Sequence, residues 1–413
     1  MSVEDHDVEG DNKMPSRLGI PLTVNDRSQE GNSLEFSGSS HKNELVSDTS
    51  SSRESNESVR KLHSYEGPGF RQEVVGGYHH KHMQKVGWQG ERFYLIKSRG
   101  QHLLTNPHVL DSIILKAKVL PTDTVLEIGP GTGNLTVRLL DYAKKVIAIE
   151  IDKKMVDALQ NRIGKLGLED KLTVIIGNVL KMELPHFDLC VSNIPYGISS
   201  PLIAKLFLNS HKISFRSATL LLQKEFAHRL LAKPGESDFN RLAVNVGLVA
   251  SVKFLMNVSK KEFVPCPKID SSLVQIQPKL NRPYINLDEW SGFTRTCFSK
   301  RNKTIRSIFK QKKKIIELYE KSQSSSISCK SFEFEDLASD YDVDEDNEYD
   351  SGDLSTKNLE LEGQNSTKIL RFKHKIFRIL EDGGFGEKRP SKLSIEDFLC
   401  LLELFNKEGV FFH

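Results

Sequence analysis

Between residues 105 and 280, short β-rich runs alternate with helical ones, and no other feature constrains the chain as strongly. The candidate strands are Thr124–Ile128, Lys145–Glu150, Leu172–Ile176, Leu189–Ser192, Ala218–Gln223, Val252–Asn257 and Ser272–Gln277. Such alternation is the signature of a parallel α/β sheet. The last two runs lie close together with no long helix between them, so one of the pair is expected to run antiparallel. The expected fold class is therefore α/β, a seven-stranded doubly wound sheet.

The ends of the first four strands carry the polar and glycine-rich segments. The first leads into Glu127-Ile128-Gly129-Pro130-Gly131-Thr132-Gly133-Asn134. Glycines at every second position let the backbone approach a ligand closely at the C-terminal edge of a sheet. The spacing is G-x-G-x-G, unlike the G-x-G-x-x-G of dinucleotide sites, and no Lys-Ser/Thr follows to make a P-loop. The second strand ends in Glu150, 21 residues beyond Gly129, where an acid can accept both ribose hydroxyls of an adenosyl group. The third ends in Gly177-Asn178, and the Asn178 carbonyl oxygen offers an uncharged acceptor beside an adenine.

The fourth strand delivers Asn193-Ile194-Pro195-Tyr196, one residue away from the Asn-Pro-Pro-Tyr pattern of enzymes that methylate amino groups on nucleobases. An exocyclic amine is a poor nucleophile because its lone pair is delocalised into the ring. Acceptors on its two hydrogens, here the Asn193 side-chain oxygen and the Ile194 carbonyl, localise that lone pair, while the Tyr196 ring stacks on the base. Taken alone, the four residues also read as an ordinary turn after a strand.

Composition narrows the class. Five scattered cysteines without a CxxC pair argue for a reducing compartment, against a disulfide framework, and for no metal site. No apolar run approaches the length needed to span a bilayer. Residues 1–60 hold 13 Ser, 12 acidic and 6 basic residues and read as a disordered tail, turning basic from Arg60 to Lys97. Ordered structure is expected from near Glu91. A second acidic tract, Glu333 to Asp353, has 11 Asp or Glu and no Lys or Arg, so about 322–366 is expected to be a disordered insertion. From Arg295 to Lys314 there are nine Lys or Arg and no acid, interleaved with Phe298 and Phe309. Arg295, Lys300, Arg301, Lys303 and Arg306 are candidate phosphate contacts for RNA. The expected organisation is an N-terminal extension (1–90), a catalytic domain (91–282) and a helical RNA-binding domain (283–413).

With these motifs in place, the chain resembles the rRNA adenine N6,N6-dimethyltransferases of the KsgA type, and most closely the eukaryotic dimethyladenosine transferases. The resemblance runs from about Ser98 to Lys314 and resumes at the C-terminus. It rests on Gly100-Gln101-His102-Leu103-Leu104, Glu127 through Asn134, Glu150-Ile151-Asp152 and Asn193 through Tyr196. Further matches are Leu222-Gln223-Lys224-Glu225-Phe226, Phe263-Val264-Pro265-Cys266-Pro267-Lys268, Arg301-Asn302-Lys303-Thr304, and the closing segments at Asp397 and Phe405. It implies an S-adenosylmethionine-dependent methyltransferase sheet followed by a small C-terminal helical domain. In that family His102 and Leu104 would line the methionine end of the cofactor, Gly129 and Gly131 would allow its approach, and Glu150 would hold the ribose. Asn178 would sit at the adenine, Asn193 would meet both cofactor and target amine, and Tyr196 and Phe263 would sandwich the base. The family usually has Asp at position 178.

The implied substrate is a pair of adjacent adenines near the 3′ end of small-subunit rRNA, within a pre-ribosomal particle, acted on by a monomer away from membranes. Two other classes remain open: a non-catalytic ribosome-assembly or mitochondrial transcription factor on the same scaffold, and a DNA adenine methyltransferase. The acidic start and basic C-terminal segment suit the nucleus or nucleolus. The mitochondrion is the alternative, particularly with a start at Met83.

Overall fold

In the computed structural model, residues 101–208, 214–323 and 362–412 are described, together with the backbone of 83–88 and 91–96. Seven strands form the central sheet: β1 (Thr124–Ile128), β2 (Lys145–Glu150), β3 (Leu172–Ile176), β4 (Leu189–Asn193), β5 (Ser217–Gln223), β6 (Ala250–Val258) and β7 (Ser271–Pro278). Their order is β3-β2-β1-β4-β5-β7-β6, and β7 runs antiparallel to both neighbours. All seven expected strands are present. The antiparallel one is the last in sequence, inserted between β5 and β6, because a short connection permits a hairpin but not a crossover.

β1, β4 and β5 are buried along nearly their whole length because helices cover both faces of the sheet. The helices are α1 (Pro107–Ala117), α2 (Asn134–Tyr142), α3 (Lys153–Leu166), α4 (Ser199–Phe207), α5 (Lys224–Leu231) and α6 (Arg241–Val249). Asn106 caps α1 through its side-chain oxygen and is followed by Pro107 at the first helical position; Asp152 caps α3 in the same way. The strand order reverses between β1 and β4, which opens a crevice at their C-terminal ends.

Beyond the sheet come α7 (Leu287–Cys297), α8 (Ile305–Ile308), α9 (Lys312–Gln323), α10 (Glu362–Asp382) and α11 (Ile395–Lys407). Trp290, Phe293, Phe309, Phe398, Phe405 and Phe412 are all fully buried between them. Each such ring contributes roughly 1.5–3 kcal/mol of burial. These residues belong to one hydrophobic cluster with α4, α6 and one face of the sheet. Gly292 is required there, since a Cβ at that position would stand 1.9 Å from the Phe412 carbonyl oxygen.

The described chain begins earlier than Glu91. Met83–Trp88 pairs antiparallel with Glu91–Ile96. The described ends of the expected 322–366 insertion, 322–323 and 362–366, are helical. Helix α9 continues to Gln323 and α10 begins at Glu362, and the whole acidic tract Glu333–Asp353 lies outside the described residues.

Candidate active site

The crevice at the switch between β1 and β4 is a pocket, and most of the residues singled out in the sequence converge on it. His102, Leu104, Gly129, Gly131, Glu150 and the run Asn193 to Tyr196 all line it. Gly129, Gly131 and Gly133 have φ of 69°, 57° and 84°, a left-handed backbone that strongly favours glycine. Space is limiting as well. A Cβ at Gly131 would stand 2.9 Å from Leu103 Cδ2, and one at Gly129 3.2 Å from Pro195 Cδ.

Glu150 is held in place by backbone donors. Ile151 and Asp152 donate N–H to its Oε1 at 2.9 and 3.0 Å, and Gly131 donates to Oε2 at 3.3 Å. Burial raises its pKa, and those three donors work against the rise. Asn193 is oriented by the segment before α1: its Nδ2 donates to the His102 main-chain oxygen at 3.2 Å, leaving Oδ1 as the amide's acceptor. The His102 ring is stacked on Tyr196, centroids 6.1 Å apart and planes 27° apart, and its Nδ1 lies 2.7 Å from the Pro265 carbonyl. Tyr196 Oη is 2.7 Å from Ser271 Oγ at the start of β7. Ile194 is buried behind the turn.

Two expected residues are placed differently. Phe263 is 2% exposed and does not line the pocket; it pairs with Leu104 in a two-residue ladder and packs in a core cluster. Asn178 also lies off the pocket lining, and its Oδ1 accepts the Leu180 N–H at 2.9 Å. That oxygen has a second lone pair, so an adenine amine can still be accepted.

Among the basic residues, Arg295, Lys300 and Lys303 are exposed. Arg301 donates to the Ser237 carbonyl at 3.0 Å, and Arg306 pairs with Glu381 at 2.5 Å and lies over the Phe377 ring. The interleaved Phe309 is fully buried and Phe298 partly so, which makes both packing residues.

Glu127 is a pocket residue that sequence reasoning missed. It lines the crevice, is 2% exposed, and its Oε2 has no hydrogen-bond partner. Burial pushes its pKa up to about 8, with the Thr136 hydroxyl opposing and the Glu150 charge adding to the rise. An alternating Glu-x-Gly pattern at a strand end is the only sequence signal that could have flagged it.

The family model described as ribosomal RNA adenine dimethylase matches residues 93–326. The chain belongs to that family. A relative from Arabidopsis thaliana, named ribosomal RNA small subunit methyltransferase, mitochondrial, is 55% identical over 323 residues, covering 78% of this chain and 81% of its own. A second Arabidopsis relative, named ribosomal RNA small subunit methyltransferase, is 46% identical and covers 76% and 92%. The crystal structure of a dimethyladenosine transferase from Plasmodium falciparum is 39% identical with a TM-score of 0.60, over 75% of this chain and all of that one.

The dimethylase family uses S-adenosylmethionine, and the residues present fit it. The glycine turn is a cradle that any Cβ would fill, Glu150 presents a carboxylate beside it, and Glu127 offers an orphaned buried oxygen for a cationic group. Glu150 and the turn would hold the adenosyl part, with Glu127, His102 and Leu104 toward the methionine part. No described helix is long and apolar enough to cross a membrane.

Proposed function

We propose that this dimethylase family member methylates the N6 amines of two adjacent adenines near the 3′ end of small-subunit rRNA, twice each. The observation that carries the reading is the orientation of Asn193 by His102 at the lip of the glycine-turn pocket. Bound S-adenosylmethionine supplies an electrophilic methyl group with a neutral thioether leaving group. The chain's own contribution is positional and electrostatic. Asn193 Oδ1 accepts one hydrogen of the target amine and the Ile194 carbonyl the other, which localises the nitrogen lone pair. Tyr196 stacks on the flipped base, its hydroxyl anchored at Ser271. No strong base is needed, because the alkylated nitrogen is acidic enough to lose its proton to water.

The exposed Arg295, Lys300 and Lys303 would meet rRNA phosphates, in a pre-ribosomal particle, with the protein acting as a monomer. Asn178 would complete the adenine site. Division into a catalytic segment to about 282 and a helical RNA-binding segment after it suits these roles. For the compartment, the 55% identical relative named mitochondrial supports the mitochondrion over the nucleus or nucleolus. Imaging of the tagged chain with its native 5′ sequence separates the two.

The decisive experiment supplies purified full chain and labelled S-adenosylmethionine to immature small subunits. N6,N6-dimethyladenosine should appear at the two adjacent adenines and be absent with Asn193→Ala. Normal cofactor binding without methyl transfer would favour the assembly-factor reading, toward which the uncharged Asn178 already leans.

A further inference from the structure

Arg162 lies on α3, outside the pocket lining, yet its guanidinium reaches the back of the glycine turn. Nη1 donates to the Thr132 carbonyl at 3.0 Å and to Asn134 Oδ1 at 2.7 Å. Asn134 then uses the other end of its amide, Nδ2 donating to the Leu104 carbonyl at 2.8 Å. One helical turn earlier on α3, Leu159 is fully buried beneath the same loop, where a Cβ at Gly133 would stand 2.5 Å from its Cδ1.

The segment reached through Asn134 is the one that shapes the rest of the pocket. His102 orients Asn193, Leu103 closes on Gly131, and Leu104 pairs with Phe263. Two pocket walls from distant parts of the sequence are thus tied to one cation. A guanidinium suits this task because its planar fork fixes acceptors relative to each other, whereas a lysine ammonium is a single mobile point donor. Thr132 and Asn134 both meet it with neutral amide oxygens.

We propose that Arg162 is a positioning residue for the cofactor: through Thr132 and Asn134 it sets the spacing between the glycine turn and the 102–104 segment. The proposal rests on the reading of this pocket as the S-adenosylmethionine site. Arg162 touches neither reactant, so its loss should weaken cofactor binding and leave the chemistry at saturating cofactor nearly intact.

The test uses the purified full chain, with calorimetric titration of S-adenosylmethionine in the absence of RNA, melting temperature, and steady-state kinetics. Arg162→Met keeps the apolar stem and should raise the cofactor Kd and KM about tenfold, the effect of one or two lost buried hydrogen bonds. The kcat should stay within about twofold. Arg162→Lys should recover part of the affinity. Asn134→Asp keeps the acceptor for Arg162 but loses the donor to Leu104, and should match the Arg162→Met defect. The double variant should be no weaker than either single one, since both break one relay. A lowered melting temperature with unchanged Kd would reduce Arg162 to a structural role and overturn the proposal, as would additive defects. Failure of the unmodified chain to bind S-adenosylmethionine would instead overturn the reading of the pocket.

Discussion

The side-chain amide of Asn193 and the main-chain oxygen of His102, 91 residues apart in sequence, form a 3.2 Å hydrogen bond that decides which end of the amide faces the pocket. Asn193→Ala removes the acceptor for the target amine. It should lower kcat at least about 100-fold, the scale for losing one preorganised hydrogen-bonding group, while cofactor affinity measured by titration changes little. Asn193→Asp should not rescue, because a carboxylate cannot donate to His102.

Tyr196 separates into two parts. Tyr196→Phe removes the 2.7 Å hydrogen bond with Ser271 and should cost about 1 kcal/mol of stability in denaturant unfolding, with most activity kept. Tyr196→Ala also removes the stacking face, so the KM for rRNA should rise by roughly the 1–3 kcal/mol of one base–aromatic stack.

Glu127 should make stability depend on pH. Burial raises its folded pKa from 4.5 to about 8. The stabilisation it contributes is therefore complete below pH 4.5 and is lost as pH rises through about 8. Thermal melts of the cofactor-free chain should fall between these pH values more steeply than those of Glu127→Gln. Parallel profiles would show that Glu127 does not titrate in this window.

Asn178→Asp keeps the acceptor for the Leu180 N–H and replaces the amide nitrogen with a charged acceptor. S-adenosylmethionine binding should tighten about threefold to tenfold by calorimetry, the range for strengthening one polar interaction. Unchanged affinity would place residue 178 outside the adenine site.

Lys300 and Lys303 are exposed at the start of the basic stretch. Alanine at both should weaken rRNA binding without affecting cofactor binding. The slope of log K against log salt should fall by about 0.7–0.9 for each phosphate no longer neutralised. Arg306→Ala should instead register mainly as reduced stability, since Arg306 is engaged with Glu381 and Phe377.

What the sequence determined by itself follows from short-range physics. Short β-rich runs separated by helical ones mark the strands whatever their direction, so all seven were legible from Thr124 to Pro278. The ligand elements were legible because they sit at strand ends, where a glycine turn, Glu150 and Asn193 must emerge on one edge. Tertiary structure decided which side chains face the pocket and which are buried. Phe263 read equally well as a stacking surface or as core, and Phe309 as part of a basic RNA-binding stretch or as core. They are core because Leu104 pairs with one and the C-terminal segment around Phe405 and Phe412 closes over the other. The stacking of His102 on Tyr196, the orphaned Glu127 oxygen and the Arg162–Asn134–Leu104 relay join residues from different elements. Each depends on desolvation and donor geometry that exist only once the sheet, α3 and the 102–104 segment are packed together.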